Sequence, residues 1–127
     1  MNEFLLNTLE YFSDRNKRCV SKAGGCQYSP TKTSDGCAIG RFLTGTPQEL
    51  ARWDSEGGYA YCADAAQMGR LPDIRPEWMK RMPEDFLTEM QKWHDSSIIL
   101  GEEDEKDHLR RIIEEYNLDI NLFKNYL

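Results

Sequence analysis

Gly24-Gly25-Cys26-Gln27-Tyr28, then Ser29-Pro30-Thr31-Lys32-Thr33-Ser34-Asp35-Gly36, then Cys37-Ala38-Ile39-Gly40-Arg41-Phe42-Leu43: the reading of this stretch decides the fold class. Gly24-Gly25 breaks any helix arriving from the N-terminal side, because glycine loses the most backbone freedom on ordering. Cys26-Gln27-Tyr28 and Cys37-Ala38-Ile39 read as two short strands. The segment between them is rich in turn formers, and Asp35-Gly36 is a favoured hairpin dipeptide. Strand alternation places Cys26 and Tyr28 on one face, and Cys37 and Ile39 likewise. Two strands alone are marginally stable, so the hairpin must lean on helices.

The flanking sequence offers those helices. Phe4, Leu5, Thr8, Leu9 and Phe12 share one face at the helical period, which predicts a helix from Asn2 to about Asp14. Arg15, Asn16, Lys17 and Arg18 close it. Thr46-Pro47-Gln48-Glu49 is a helix start: Thr46 caps, Pro47 suits the first helical position and Glu49 completes a capping box. Leu50 and Trp53 form its apolar side, and Gly57-Gly58 ends it. A short helix is expected around Ala63 to Met68. Leu71-Pro72-Asp73-Ile74-Arg75-Pro76 reads as a stiff connector and Pro76 to Met79 as one helical turn. A clearer helix opens at Pro83-Glu84-Asp85, carries the stripe Phe86, Leu87, Met90, Trp93 and His94, and ends near Asp95-Ser96. The acidic run Glu102-Glu103-Asp104-Glu105 starts a last long helix that buries Leu109, Ile112, Ile113 and Tyr116. Asn117 breaks it and Asp119 caps a final turn. The expected fold is α+β and predominantly α, with four to five helices packed around one short β-hairpin in a single domain spanning 1–127.

Composition narrows the function classes. The chain has 127 residues, of which 30% are charged, with 16 basic against 22 acidic side chains and a net charge of −6. That balance argues against a general nucleic-acid binder, which needs a basic face to displace counterions. The charge is uneven: residues 1–82 carry 11 basic and 10 acidic side chains, residues 83–127 carry 5 and 12. Nothing approaches the roughly 18 apolar residues of a membrane span, and Met1 to Phe12 lacks the basic start of a signal peptide. A cytoplasmic location follows as the expectation, with Cys19, Cys26, Cys37 and Cys62 reduced.

Two groups of residues carry a family resemblance. One is Cys26-x-Tyr28, a polar turn and Cys37-Ala38-Ile39-Gly40. The other is Leu87-x-x-Met90-Gln91-x-x-His94-Asp95, followed by an acidic helix ending in Tyr116-x-Leu118. Over most of residues 1–123 the chain resembles a family of small, uncharacterised bacteriophage and bacterial proteins. It departs from the family at Ser29, where a basic residue is usual. The resemblance implies a phage or bacterial cytosolic origin, with the host cytoplasm as location if the chain is phage-encoded, and no particular activity.

Candidate chemistry gathers on the same residues. Cysteine activated by histidine is a known nucleophile arrangement, and Cys37, Gln91, His94 and Asp95 hold the parts if helix and hairpin meet. Neighbours on a helix point about 100° apart, so Asp95 is poorly placed to orient His94. A half-buried His94 bonded to backbone or to Gln91 is the plainer expectation. Cys26, Cys37 and His94, joined by Cys19 or Cys62, have donors suited to zinc but lack the usual finger spacings. Buried, reduced cysteines are the plainer reading, so no cofactor is favoured. Gly36, Gly40 and Arg41 could cradle a phosphate, although tight turns are the default. Tyr28, Arg41, Gln91 and His94 are the candidate contacts for a ligand or partner. Trp53, Trp78 and Trp93 sit at helical positions, and an exposed Trp78 would mark a partner surface. The leading expectation is a small accessory protein that binds a host protein or small ligand. The alternatives are a Cys37/His94 enzyme and a zinc-stabilised module. The hairpin reading further places Cys26, Tyr28, Cys37 and Ile39 against Met90 or His94.

Overall fold

A helix of 16 residues, Glu84–Ile99, is the element against which much of the chain packs. The computed structural model of the chain describes residues 1–19, 27–99 and 102–127. In chain order the α-helices are α1 (Asn2–Tyr11), α2 (Pro47–Glu56), α3 (Tyr59–Gln67), α4 (Glu77–Lys80), α5 (Glu84–Ile99) and α6 (Glu102–Glu115). Short 3-10 segments lie at Arg15–Lys17, Gly40–Phe42 and Ile120–Tyr126. α5 packs on α6 along one side and on α3 along the other, α2 packs on α3, and α1 meets the C-terminal 3-10 segment.

Local sequence explains most of these elements. α5 buries Phe86, Leu87, Met90, Gln91, Trp93 and His94, a stripe wide enough to face two neighbours at once. α3 buries Cys62, Ala63, Ala65 and Ala66, small side chains that let its backbone come close. The capping box on α2 forms as its sequence dictates. Thr46 Oγ1 accepts from the Glu49 amide at 3.2 Å, and Glu49 Oε1 accepts from the Thr46 amide at 2.9 Å. α6 ends where Asn117 turns left-handed (φ 51°) and the Leu118 amide donates back to the Ile113 carbonyl at 2.9 Å. Two boundaries move. α1 stops at Tyr11, where Asp14 caps the separate Arg15–Lys17 turn, and α5 runs on past Asp95 to Ile99.

The β-hairpin does not form. Every regular element among the described residues is helical and none is a strand, so the fold is all-α rather than α+β, with six α-helices among those residues in place of the expected four to five. Gly24, Gly25 and Cys26 lie outside the described residues. Between the two expected strands the Cys37 amide donates to the Gln27 carbonyl at 3.0 Å. The Tyr28 and Ser29 amides donate instead to Asp54 of α2, at 2.6 and 3.3 Å, and the Ser29 hydroxyl donates to the same carboxylate. The Cys37 carbonyl accepts from the Arg41 amide at 3.3 Å, which curls the chain into the Gly40–Phe42 turn. Cys37, Ala38 and Ile39 are all fully buried, which a strand with one solvent face cannot achieve.

Gly36 and Gly40 have a packing role. A Cβ on Gly40 would sit 2.4 Å from the Cα and carbonyl oxygen of Tyr28, and one on Gly36 would sit 2.6 Å from the same oxygen. Gly36 also takes φ +128°, open to glycine alone among the common residues. The space a phosphate cradle would need beside these two glycines is filled by the Tyr28 backbone.

Candidate functional site

The second half of α5 builds a polar hub in the core. His94 is fully buried, its ring edge-on to Phe12 with 4.7 Å between centroids. Its Nε2 accepts the Cys19 amide proton at 3.0 Å, so that nitrogen carries a lone pair. Its Nδ1 lies 2.8 Å from Asp95 Oδ1 and donates the remaining proton. Gln91 Nε2 donates to the same oxygen at 3.0 Å, one helical turn away. Asp95 therefore does orient His94. The Cα directions of adjacent helical residues diverge, but the side-chain torsions bring the two groups together. Burial pushes the His94 pKa below its ordinary 6.5, with the Asp95 bond opposing it, and the imidazole is held neutral.

Arg18 closes the hub. Its side chain is 5% exposed, and its guanidinium stacks 4.2 Å over Trp93 and 5.3 Å over Phe12. It donates to the His94 carbonyl at 3.3 Å and to Glu105 of α6. Arg15 reaches the other oxygen of Glu105 at 2.9 Å. The acidic start of α6 thus binds the segment after α1, and Glu105 neutralises a cation that burial would otherwise make costly. A cleft of about 220 Å³ lies over this cluster, lined by Arg15, Arg18, Trp93, Glu105, Lys106 and Tyr126 among others.

The three cysteines among the described residues are packing groups. Cys19, Cys37 and Cys62 are buried, and none of the three forms a disulfide. The thiols of Cys19 and Cys62 are pushed up to about 11, mainly by burial, so neither supplies thiolate at neutral pH. Cys37 Sγ accepts from the Gly40 amide at 3.4 Å. His94 has both ring nitrogens bonded elsewhere, so it is not poised to take a proton from Cys37. Cys19 reaches His94, and does so through its backbone. Among the described residues no three His, Cys, Asp or Glu side chains converge on a possible metal position. Cys26, one of the candidate zinc ligands, lies outside them. Tyr28 is buried too, edge-on to Trp53 at 5.5 Å, with its hydroxyl donating to the Gly57 carbonyl at 2.8 Å. Tyr28, Gln91 and His94 are therefore core groups rather than surface contacts.

Compared with protein-family models, curated proteins and solved structures, the chain matches none. Its own geometry is the guide to function. No helix among the described residues is long and apolar enough to cross a membrane.

Two sequence candidates, Arg41 and Trp78, do reach the surface. Trp78, on α4, is 40% exposed and packs its ring against Phe42 at 5.2 Å and Phe4 at 5.9 Å. With Met1, Glu3, Asn7 and Met82 these aromatics line a groove of about 580 Å³ between α1, α4 and the Gly40–Phe42 turn. Arg41 adjoins the groove through two of its lining residues. Its guanidinium lies 4.2 Å over Phe42 and donates to Asn7 Oδ1 at 2.8 Å, and both residues line the groove. Arg18, Asp54 and Glu105 escape sequence reasoning. Nothing local marks them, since their partners lie 25 to 90 residues away.

Proposed function

We propose that this chain is a binding protein whose contact surface is the groove between Trp78, Phe42 and Met82. The observation that carries the reading is the exposure of Trp78 at the rim of that groove. Large exposed aromatics beside an apolar depression are characteristic of interaction sites, and tryptophan is enriched among residues that dominate binding. Covering the exposed two-fifths of the Trp78 ring removes on the order of 100 Å² from water, worth about 2–3 kcal/mol. Met1 and Met82 supply adaptable thioether and methyl contacts around it.

The geometry gives less support to the enzyme reading. Its two principal residues are fully buried, and the histidine nitrogens are engaged in holding Cys19 and Asp95. A catalytic pair needs a path for substrate and a free basic nitrogen. The resemblance to a phage family makes a host protein the partner class to screen first. Affinity capture from host lysate tests the proposal, with wild-type protein, Trp78→Ala and, as a control, Tyr61→Ala, which removes an exposed ring on α3 outside the groove. A discrete protein retained by wild type and by Tyr61→Ala, and lost with Trp78→Ala, is the expected result. Retention that ignores Trp78→Ala sinks the assignment.

A further inference from the structure

Arg41 carries a charge that the described residues do not neutralise. The buried guanidinia of Arg18 and Arg75 have carboxylates, Glu105 for Arg18 and Asp73 for Arg75 at 2.9 Å. Arg41 has only the neutral oxygens of Asn7 and Thr8, at 2.8 and 3.0 Å, and no acid within ion-pair distance among the described residues. Asp35 acts on it from further off. Three rings surround the guanidinium, Phe42 at 4.2 Å, Tyr11 at 4.7 Å and Phe12 at 5.5 Å, and its Nε is buried without a hydrogen bond. Burial pushes its pKa down to about 10, the sign of a cation short of a counter-ion. Aromatic faces offset part of that cost, but they do not supply the paired acceptors that a guanidinium fork takes best.

The position of this charge gives it a use. Asn7 and Phe42 both touch Arg41 and both line the Trp78 groove, so the cation adjoins the groove through two of its lining residues. We infer, building on the groove reading above, that the partner is a protein segment carrying a large apolar side chain next to an aspartate or glutamate. The apolar side chain seats between Trp78 and Phe42, and the carboxylate pairs with Arg41. Arginine suits this role because it keeps its charge while Asn7 and Thr8 hold one end of the guanidinium in place, which fixes direction as well as affinity.

Selection of a displayed random-peptide library on the full chain tests the inference, with Trp78→Ala, Arg41→Gln and Arg41→Lys selected in parallel. Peptides enriched on wild type should share an aromatic, leucine or methionine anchor with a nearby acid. Replacing that acid by its amide in a synthetic peptide should weaken binding to wild type about tenfold or more. The same replacement should have little effect on binding to Arg41→Gln, with Arg41→Lys intermediate, which isolates the pair as a double-mutant cycle. If Arg41→Gln fails to fold, the Lys variant alone reads the coupling, because it keeps the charge and loses the fork. Equal affinity of acid and amide peptides for wild type overturns the inference and leaves the groove reading standing. Peptides that bind equally well to Trp78→Ala, or no enrichment at all, overturn both.

Discussion

Replacing His94 by phenylalanine separates packing from hydrogen bonding at the hub. Phenylalanine keeps the ring volume and the edge-on contact with Phe12, but it offers nothing to the Cys19 amide or to Asp95. The Cys19 position is 1% exposed, so its amide is left unpaired out of reach of water, at a cost of about 1–3 kcal/mol. Asp95 keeps the Gln91 bond and partial contact with solvent, and its lost donor adds about 0.5–1.5 kcal/mol. The sum is about 1.5–4.5 kcal/mol, which should be read by urea unfolding near pH 7.5. His94→Gln, which retains an acceptor, should recover part of it. The pH dependence gives a second readout. The folded pKa of His94 lies below 6.5, so just under that pH the unfolded chain binds the proton more readily than the folded one. Wild-type stability should therefore fall as pH drops through about 6.5 and stop falling at the folded pKa, with a slope of at most about 1.4 kcal/mol per pH unit from this group. The phenylalanine variant lacks that contribution, so its deficit should shrink on acidification. A loss under about 0.5 kcal/mol, or an unchanged deficit between about pH 7.5 and 5, would refute the reasoning.

Three further outcomes are expected. Iodoacetamide at neutral pH should leave Cys19, Cys37 and Cys62 unmodified in the folded protein and label all three in urea, by peptide mass mapping; rapid native labelling of Cys37 would return it to candidacy as a nucleophile. Gly40→Ala should destabilise by about 2–4 kcal/mol, because the added methyl meets the Tyr28 backbone at 2.4 Å and neither main chain can yield cheaply; a calorimetric Tm within a degree or two of wild type would contradict this. Asp54→Ala should cost about 1–3 kcal/mol by leaving the Tyr28 and Ser29 amides unmet, with faster hydrogen exchange at those amides as its local signature; unchanged exchange there would count against the assignment.

How much of the fold and site is legible in the sequence depends on how local each determinant is. The capping box at Thr46, the stop at Asn117 and the stripes of α5 and α6 are written within a few neighbouring residues, and each forms as its pattern indicates. The hairpin fails because Asp35-Gly36 is only a local turn signal, whereas strand pairing depends on where the Tyr28 amide goes. That is settled by Asp54, on a helix 26 residues further on, and no periodicity distinguishes it from any other acid on a helix. The His94–Asp95 pairing escapes prediction for a related reason. Helical spacing describes Cα directions, and rotation about the side-chain χ angles is enough to bring diverging neighbours into contact. Arg41 and Trp78 are visible as candidates, but only burial and neighbours separate them from Tyr28, Gln91 and His94. Trp78 lines a groove and Arg41 touches two of its lining residues; the other three lie in the core.

If the working surface is the Trp78 groove and the histidine hub is structural, the three tryptophans should respond differently to a bound partner. The direct test follows the indole N–H signals of Trp53, Trp78 and Trp93 in a ¹⁵N-labelled sample, titrated with an acidic, aromatic peptide selected on the wild-type chain. Trp78 sits in the groove, Trp93 beneath Arg18 beside the hub, and Trp53 in the core with its indole donating to the Pro72 carbonyl at 2.8 Å. The expected result is a saturable shift of the Trp78 indole with Trp53 and Trp93 unmoved. A shift of Trp93 with Trp78 unmoved would contradict it and put the functional site back at His94.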